Sequence, residues 1–165
     1  MNAMHLILVV VLTLSSMVAL GMIGMEKDAF PLASLAAATR TADADGATVD
    51  LQGYNGALII GVMGAEGVTL SGTDKIELEL EESADDSTWT DVADADLLGY
   101  VDGTNDGCFA VADADAEIPA IFKASYVGTK RYVRVVVNFS GTHGTGTPIA
   151  AFVIGGHKRS TSATV

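Results

Sequence analysis

Side chains able to do chemistry are few and scattered in this 165-residue chain. The histidines His5, His143 and His157 fall in an apolar leader, a Gly-Thr loop and the region near the tail, and none has metal-ligand spacing. Cys108, the only cysteine, follows Asp106-Gly107 at a strand start. With no histidine near it in sequence, it reads as a small buried hydrophobe rather than an activated nucleophile. A lone cysteine also excludes a framework of internal disulfides. The stretch GTHGTGT at 141–147 is rich in glycine but lacks the Gly-Lys-Ser/Thr of a phosphate-binding loop, so it reads as a flexible hairpin loop. Gly-x-Ser-x-Gly is absent, which removes the usual nucleophile elbow.

Carboxylates are abundant enough to need separate weighing. Asp102-Gly-Thr-Asn-Asp106-Gly107 partly matches a calcium loop, but Thr104 stands at position three and Asp113 at position twelve, where a bidentate Glu is expected. The pairs Asp43/Asp45, Asp94/Asp96 and Asp113/Asp115 lie in Ala-Asp settings typical of solvated turns. Acid pairs that hydrolyse glycosides need an aromatic-lined cleft, and aromatics make up only 6% of the chain. The residues therefore imply no enzyme, no cofactor and no metal.

Charge is divided along the chain. The net charge is −12, and a sequence pI near 4.3 argues against direct nucleic-acid binding. All 21 acids fall in residues 26–117 with three bases, giving 3 − 21 = −18, whereas residues 118–165 hold six bases and no acid, giving +6. Placed on different faces, these stretches would let copies meet acid to base. Placed on neighbouring strands, they would neutralise one another within one sheet.

The elements that must position these groups begin with an oddity. Residues 6–25, LILVVVLTLSSMVALGMIGM, carry no charge and are long enough to span a bilayer as a helix. MNAMH lacks the Lys or Arg that opens a secretory signal. Residues 1–25 thus read as a membrane anchor, as an apolar arm buried against a neighbouring subunit, or as an extension ahead of a soluble protein starting at Met25. Residues 26–46, including FPLASLAAATRT, read as a linker or arm.

From residue 47 to 157 the signals are short strands parted by Gly, Asp, Asn and Ser, followed by a polar tail at 158–165. ATVDL and ALIIGVM are separated by a segment holding the turn dipeptide Asn55-Gly56. KIELELEES alternates, with Ile76, Leu78 and Leu80 on one face and Glu77, Glu79 and Glu81 on the other, predicting a half-buried strand with a carboxylate-covered outer face. The turn 83–87 leads to Trp89, the only Trp, expected as a structural anchor in the core that pins its hairpin. Residues 93–107 read as a long surface loop, with further strands at 108–112, 118–127, 131–139 and 148–156. In RYVRVVVNF, Val133, Val135, Val137 and Phe139 share one face while Tyr132, Arg134, Val136 and Asn138 take the other. About eight short strands without a helical pattern predict an all-β, antiparallel, jelly-roll-like sandwich.

The stretches TADADGATVDLQGYNGALIIGV, LELEESADDSTWTDVADADLLG and YVGTKRYVRVVVNFSGTHGTGTPIAAFVIGGHKR resemble small structural proteins of tailed-bacteriophage virions of the head-decoration, or capsid-cement, type. The resemblance covers residues 40–159. It implies a capsid-surface β-protein that binds the major capsid protein, commonly as a small homo-oligomer, with a trimer favoured, and it carries no catalytic residue. The interaction surface expected on this reading comprises Lys130, Arg131, Arg134, Glu77, Glu79 and Glu81, and a membrane would be reached only through residues 6–25. A carbohydrate-binding or fibre-base module, with Trp89, Tyr54 or Tyr100 exposed, is the rival, together with a membrane-anchored virion protein. SADDSTW also resembles a shortened Asp-box turn of carbohydrate-binding folds, with Ser87 in the place of its Gly, and is read as a structural hairpin.

Overall fold

The computed structural model describes residues 29–158; the apolar segment 1–25 and the tail beyond residue 158 lie outside them. The described residues form eleven strands: β1 (Phe30–Arg40), β2 (Ala44–Asp45), β3 (Val49–Asp50), β4 (Tyr54–Met63), β5 (Lys75–Ser83), β6 (Thr90–Asp91), β7 (Leu97–Leu98), β8 (Cys108–Ala112), β9 (Ala120–Tyr126), β10 (Tyr132–Ser140) and β11 (Thr147–Lys158). One sheet runs β1-β11-β4-β9-β7. The other runs β2-β10-β5-β6, with β3 also on β10 and β8 also on β5. Treating β2 with β3, and β6 with β8, as single interrupted strands leaves four strands in the second sheet, against four long strands and the two-residue β7 in the first, and every pairing is antiparallel. Successive strands cross between sheets in the order of a jelly roll, as the spacing of turn signals predicts.

Alternation fills the space between the sheets. Ile76, Leu78 and Leu80 of β5 and Val133, Val135 and Val137 of β10 are buried opposite Ile59 and Met63 of β4 and Ala151 and Val153 of β11. Gly61 is required at the centre, because a Cβ there would lie 2.4 Å from Leu78 Cδ1 and 3.1 Å from the Phe109 ring. Tyr126 ties the sheets together at one end: its hydroxyl donates to Glu82 Oε2 at 2.6 Å and accepts the Lys130 N–H at 2.9 Å. Burial, followed by the hydrogen bond to the Glu82 carboxylate, holds its pKa well above the ordinary tyrosine value.

Four expectations are corrected. Residues 30–40, expected within a linker or arm, form the longest strand but one and the edge of the first sheet. Alanine is a weak strand former, but the exposed edge of β11 supplies backbone partners and Pro31 is tolerated on an edge strand. A bulge between Ala33 and Leu35 turns Ser34 inward, where its hydroxyl donates to Ala47 O and accepts the Val135 N–H, both at 2.9 Å. The turn before β4 falls at Gln52-Gly53, with Gly53 at φ +90°, and Asn55-Gly56 belong to the strand. GTHGTGT joins β10 of one sheet to β11 of the other, so it is no hairpin, and His143 is buried with its ring edge-on to Phe139 at 4.8 Å. Within 93–107, Leu97–Leu98 pairs with β9 and closes the edge of the first sheet.

Candidate functional site

Antiparallel register brings the expected interaction residues together on the outer face of the second sheet. Arg134 of β10 lies opposite Glu81 of β5, Val136 opposite Glu79 and Asn138 opposite Glu77. Asp45 of β2 lies opposite Val136, Asp50 of β3 opposite Tyr132, and Asp91 of β6 opposite Glu81. Paired residues of antiparallel strands share a face, so this surface collects six carboxylates around one guanidinium.

The surface is not the open carboxylate row that the alternation predicts. Glu77 and Glu79 are only 6% and 5% exposed, because β5 is central and its neighbours' side chains cover both flanks. Lys75 Nζ holds Glu77 Oε1 at 2.9 Å. The Asn138 amide donates to Glu79 Oε2 at 2.6 Å, and the Asn105 amide, reaching over from the 93–107 segment, donates to Oε1 at 3.4 Å. Burial nonetheless raises the Glu79 pKa, with the charges of Asp91 and Glu77 adding to it and the two amides opposing. Cys108 is buried on β8 beside this row, and burial raises its thiol pKa, the opposite of an activated nucleophile.

Arg134 is the hub. Its Nε donates to Glu81 Oε2 at 2.5 Å, its Nη1 lies 2.9 Å from Asp45 Oδ2, and its Cζ sits 4.6 Å from the centre of the Trp89 ring. Trp89 is therefore not the core residue expected. In the Trp89–Val92 segment Val92 points inward, with its N–H on Leu80 O at 3.0 Å, which puts Trp89 and Asp91 on the outer side. Trp89 still pins its hairpin, through a stacked guanidinium in place of hydrophobic burial. The preceding turn is organised by Asp85, whose carboxylate accepts the N–H groups of Thr88 at 2.8 Å and Ser87 at 3.0 Å; these hold its pKa far below the ordinary value. Asp86 adopts φ +59° there and accepts the Thr48 hydroxyl at 2.7 Å.

Arg131 sits at the rim, with Nε and Nη2 on the two Asp50 oxygens at 2.9 and 2.6 Å and Nη2 also 2.9 Å from Gln52 Oε1. The guanidinium lowers the Asp50 pKa and Asp50 raises that of Arg131. Lys130 joins no salt bridge among the described residues. Its side chain borders two clefts, one against Tyr54 and Tyr126 and one against the 83–88 turn. Sequence reasoning missed Asp45, Asp50, Asn105, Asn138 and the Tyr126–Glu82 bond, because their roles depend on which strands become neighbours.

Among the described residues no group of three or more His, Cys, Asp or Glu side chains is arranged to hold a metal, and no helix is long and apolar enough to cross a membrane. Comparisons with protein-family models and with curated proteins find no match.

Proposed function

We propose that this chain is a virion structural protein of the head-decoration type, binding the assembled shell of major capsid protein at the capsid surface as a small homo-oligomer, with a trimer favoured. The observation that carries the reading is the jelly-roll strand order across residues 30–158, an architecture used by capsid and lectin domains, combined with the sequence resemblance over 40–159. Its action is passive: each copy bridges shell subunits by many weak contacts acting together, without turnover.

The outer face of the second sheet supports a refined account of the contact. Arg131, Arg134 and Lys75 are engaged by carboxylates of their own chain, so a partner meets mainly the surplus acid of the loops. A shell offering Lys and Arg at that contact would attract it, and salt would weaken the attraction.

The test compares heads assembled with and without the full chain. Decorated heads are expected to survive heating to a higher temperature, and binding of the chain to undecorated heads is expected to fall as salt rises from 0.05 to 0.5 M, roughly a threefold fall in screening length. Heads whose stability is unchanged, or that take up none of the protein, would remove the proposal.

A further inference from the structure

The two sheets present opposite outer surfaces. An antiparallel sheet packed on a core normally alternates apolar-in and polar-out, and the second sheet does so with Glu77, Glu79, Glu81 and Arg134. The first sheet breaks that rule. Its outward rows run Ile154–Leu58–Ser125, Phe152–Ile60–Lys123 and Ala150–Val62–Ile121, with Leu98 beside Ser125 at the far edge, so that β11 and β4 are apolar throughout these rows and Lys123 and Ser125 are the polar interruptions on β9. Ile121 is 74% exposed and Leu98 58%, while Leu58 and Phe152 are also exposed. Five strands about 4.8 Å apart make this face roughly 19 Å wide, and the ten residues of β4 make it roughly 33 Å long. The apolar part of the face is the middle of it, from Leu58 to Val62 on β4 and from Ala150 to Ile154 on β11, with Ile121 and Leu98 exposed beyond, and exposed apolar residues grouped in this way mark a contact.

The chain carries an occupant of matching chemistry. Residues 6–25 hold no charged side chain. Of these positions only Thr13, Ser15, Ser16, Gly21 and Gly24 lack an apolar side chain. The segment ends five positions before Phe30, which opens β1 at the edge of this same sheet and is itself exposed. The intervening residues 26–29 reach at most about 14 Å, enough to return the segment onto the sheet beside its own entry strand. A tether that short gives the intramolecular contact a millimolar effective concentration, which a second copy must exceed to compete.

We propose that residues 6–25 pack against the outer face of the β1-β11-β4-β9-β7 sheet of their own chain, making the sandwich a three-layer domain whose remaining exposed sheet face is the charged one. The inference goes beyond the virion reading and does not depend on it. It converts two apolar surfaces, each costly in water, into one buried contact.

The experiment uses the full chain carrying a benzophenone amino acid in place of Phe152 and, in a second variant, in place of Ile121, which is exposed enough to accept it without repacking. Equal amounts of ¹⁴N- and ¹⁵N-labelled protein are mixed, unfolded, refolded together and irradiated, and crosslinked peptides are identified by mass. The expected result at either position is a link into residues 6–25 in which both peptides carry the same label, at least fivefold over mixed-label product. Free exchange between copies would give about half mixed label. Predominantly mixed label, whether to the leader or to the sheet of another copy, overturns the proposal. Adducts to added detergent or lipid in place of the leader overturn it, as does the absence of leader links from both positions.

Discussion

Removing the guanidinium of Arg134 should cost more than any exposed salt bridge in the protein. Arg134→Met keeps much of the aliphatic stem that covers the sheet and deletes the charge. The side chains of Arg134 and Glu81 are only 18% and 20% exposed, so the bond between them falls in the charge-assisted class worth about 1.5–3 kcal/mol. Asp45 is 59% exposed, and its share is at most about 1 kcal/mol. Stacking on Trp89 adds about 0.5–1 kcal/mol. Because these contacts share one group they do not add fully, and a loss of about 3 kcal/mol is expected. For a domain of this size that is a fall in Tm of about 10 °C. Trp89 is the sole Trp, so urea unfolding followed by its fluorescence reads the loss directly. A double-mutant cycle with Glu81→Gln isolates the pair, with an expected coupling of about 2 kcal/mol that persists in 1 M salt, where the Debye length is only about 3 Å. A coupling below about 0.5 kcal/mol, or one abolished by salt, would show that the pair behaves as a surface contact and refute the argument.

Two further outcomes follow from the polar groups inside the sandwich and on the outer face of its second sheet. Glu79 has a raised folded-state pKa because burial penalises its charged form, so its ionisation costs stability at neutral pH and the cost disappears as pH falls below the unfolded value near 4.5. Glu79→Gln should therefore stabilise the chain at pH 7, with Asn105 turning its amide oxygen to the new NH₂, and the gain over wild type should vanish by about pH 4 in parallel urea titrations; a gain independent of pH would contradict the assignment. Tyr126→Phe leaves the Glu82 carboxylate and the Lys130 N–H without their shared partner and should cost about 1–3 kcal/mol. In the wild-type chain, phenolate absorbance equal to one tyrosine should appear only well above pH 10, where free tyrosine ionises, and that late step should be missing from the variant.

Much of the fold is legible in the residues, and the limits have a common physical origin. Period-two alternation in KIELELEES and RYVRVVVNF correctly sorts Ile76, Leu78, Leu80, Val133, Val135 and Val137 to the core. It assigns a face to each side chain but is silent on which strand will lie alongside. Glu77 and Glu79 point outward as expected and are still buried, because β5 has partners on both edges. Trp89 leaves the core because Val92, three residues on, takes the inward position and fixes the phase of that short segment. β1 was hidden for the opposite reason. FPLASLAAATR has little intrinsic strand preference, and it is extended because the edge of β11, more than a hundred residues later, offers a ladder.

Strand order also decides what becomes of the charge divided along the chain. β10 belongs to the basic end, yet the jelly-roll crossing inserts it between β5 and the β2/β3 pair, all from the acidic stretch. Arg134 thereby meets Glu81 and Asp45, and Arg131 meets Asp50, so part of the sequence polarity is neutralised within one sheet. These bases are poor docking groups for another molecule, since recruiting Arg134 would first forfeit the contacts that hold Trp89 and the β5–β6 turn. Acids without a cation partner among the described residues are exposed in the loops and turns at Asp86, Asp102, Asp106 and Glu117, and at Asp91 on the short strand β6. A basic surface brought to this sandwich would therefore meet unpaired acids at its loops sooner than on the Arg134 face, and Lys130, bordering two clefts of which one is lined by Glu82 and Asp85, is the one member of the expected basic trio left outside an ion pair among the described residues.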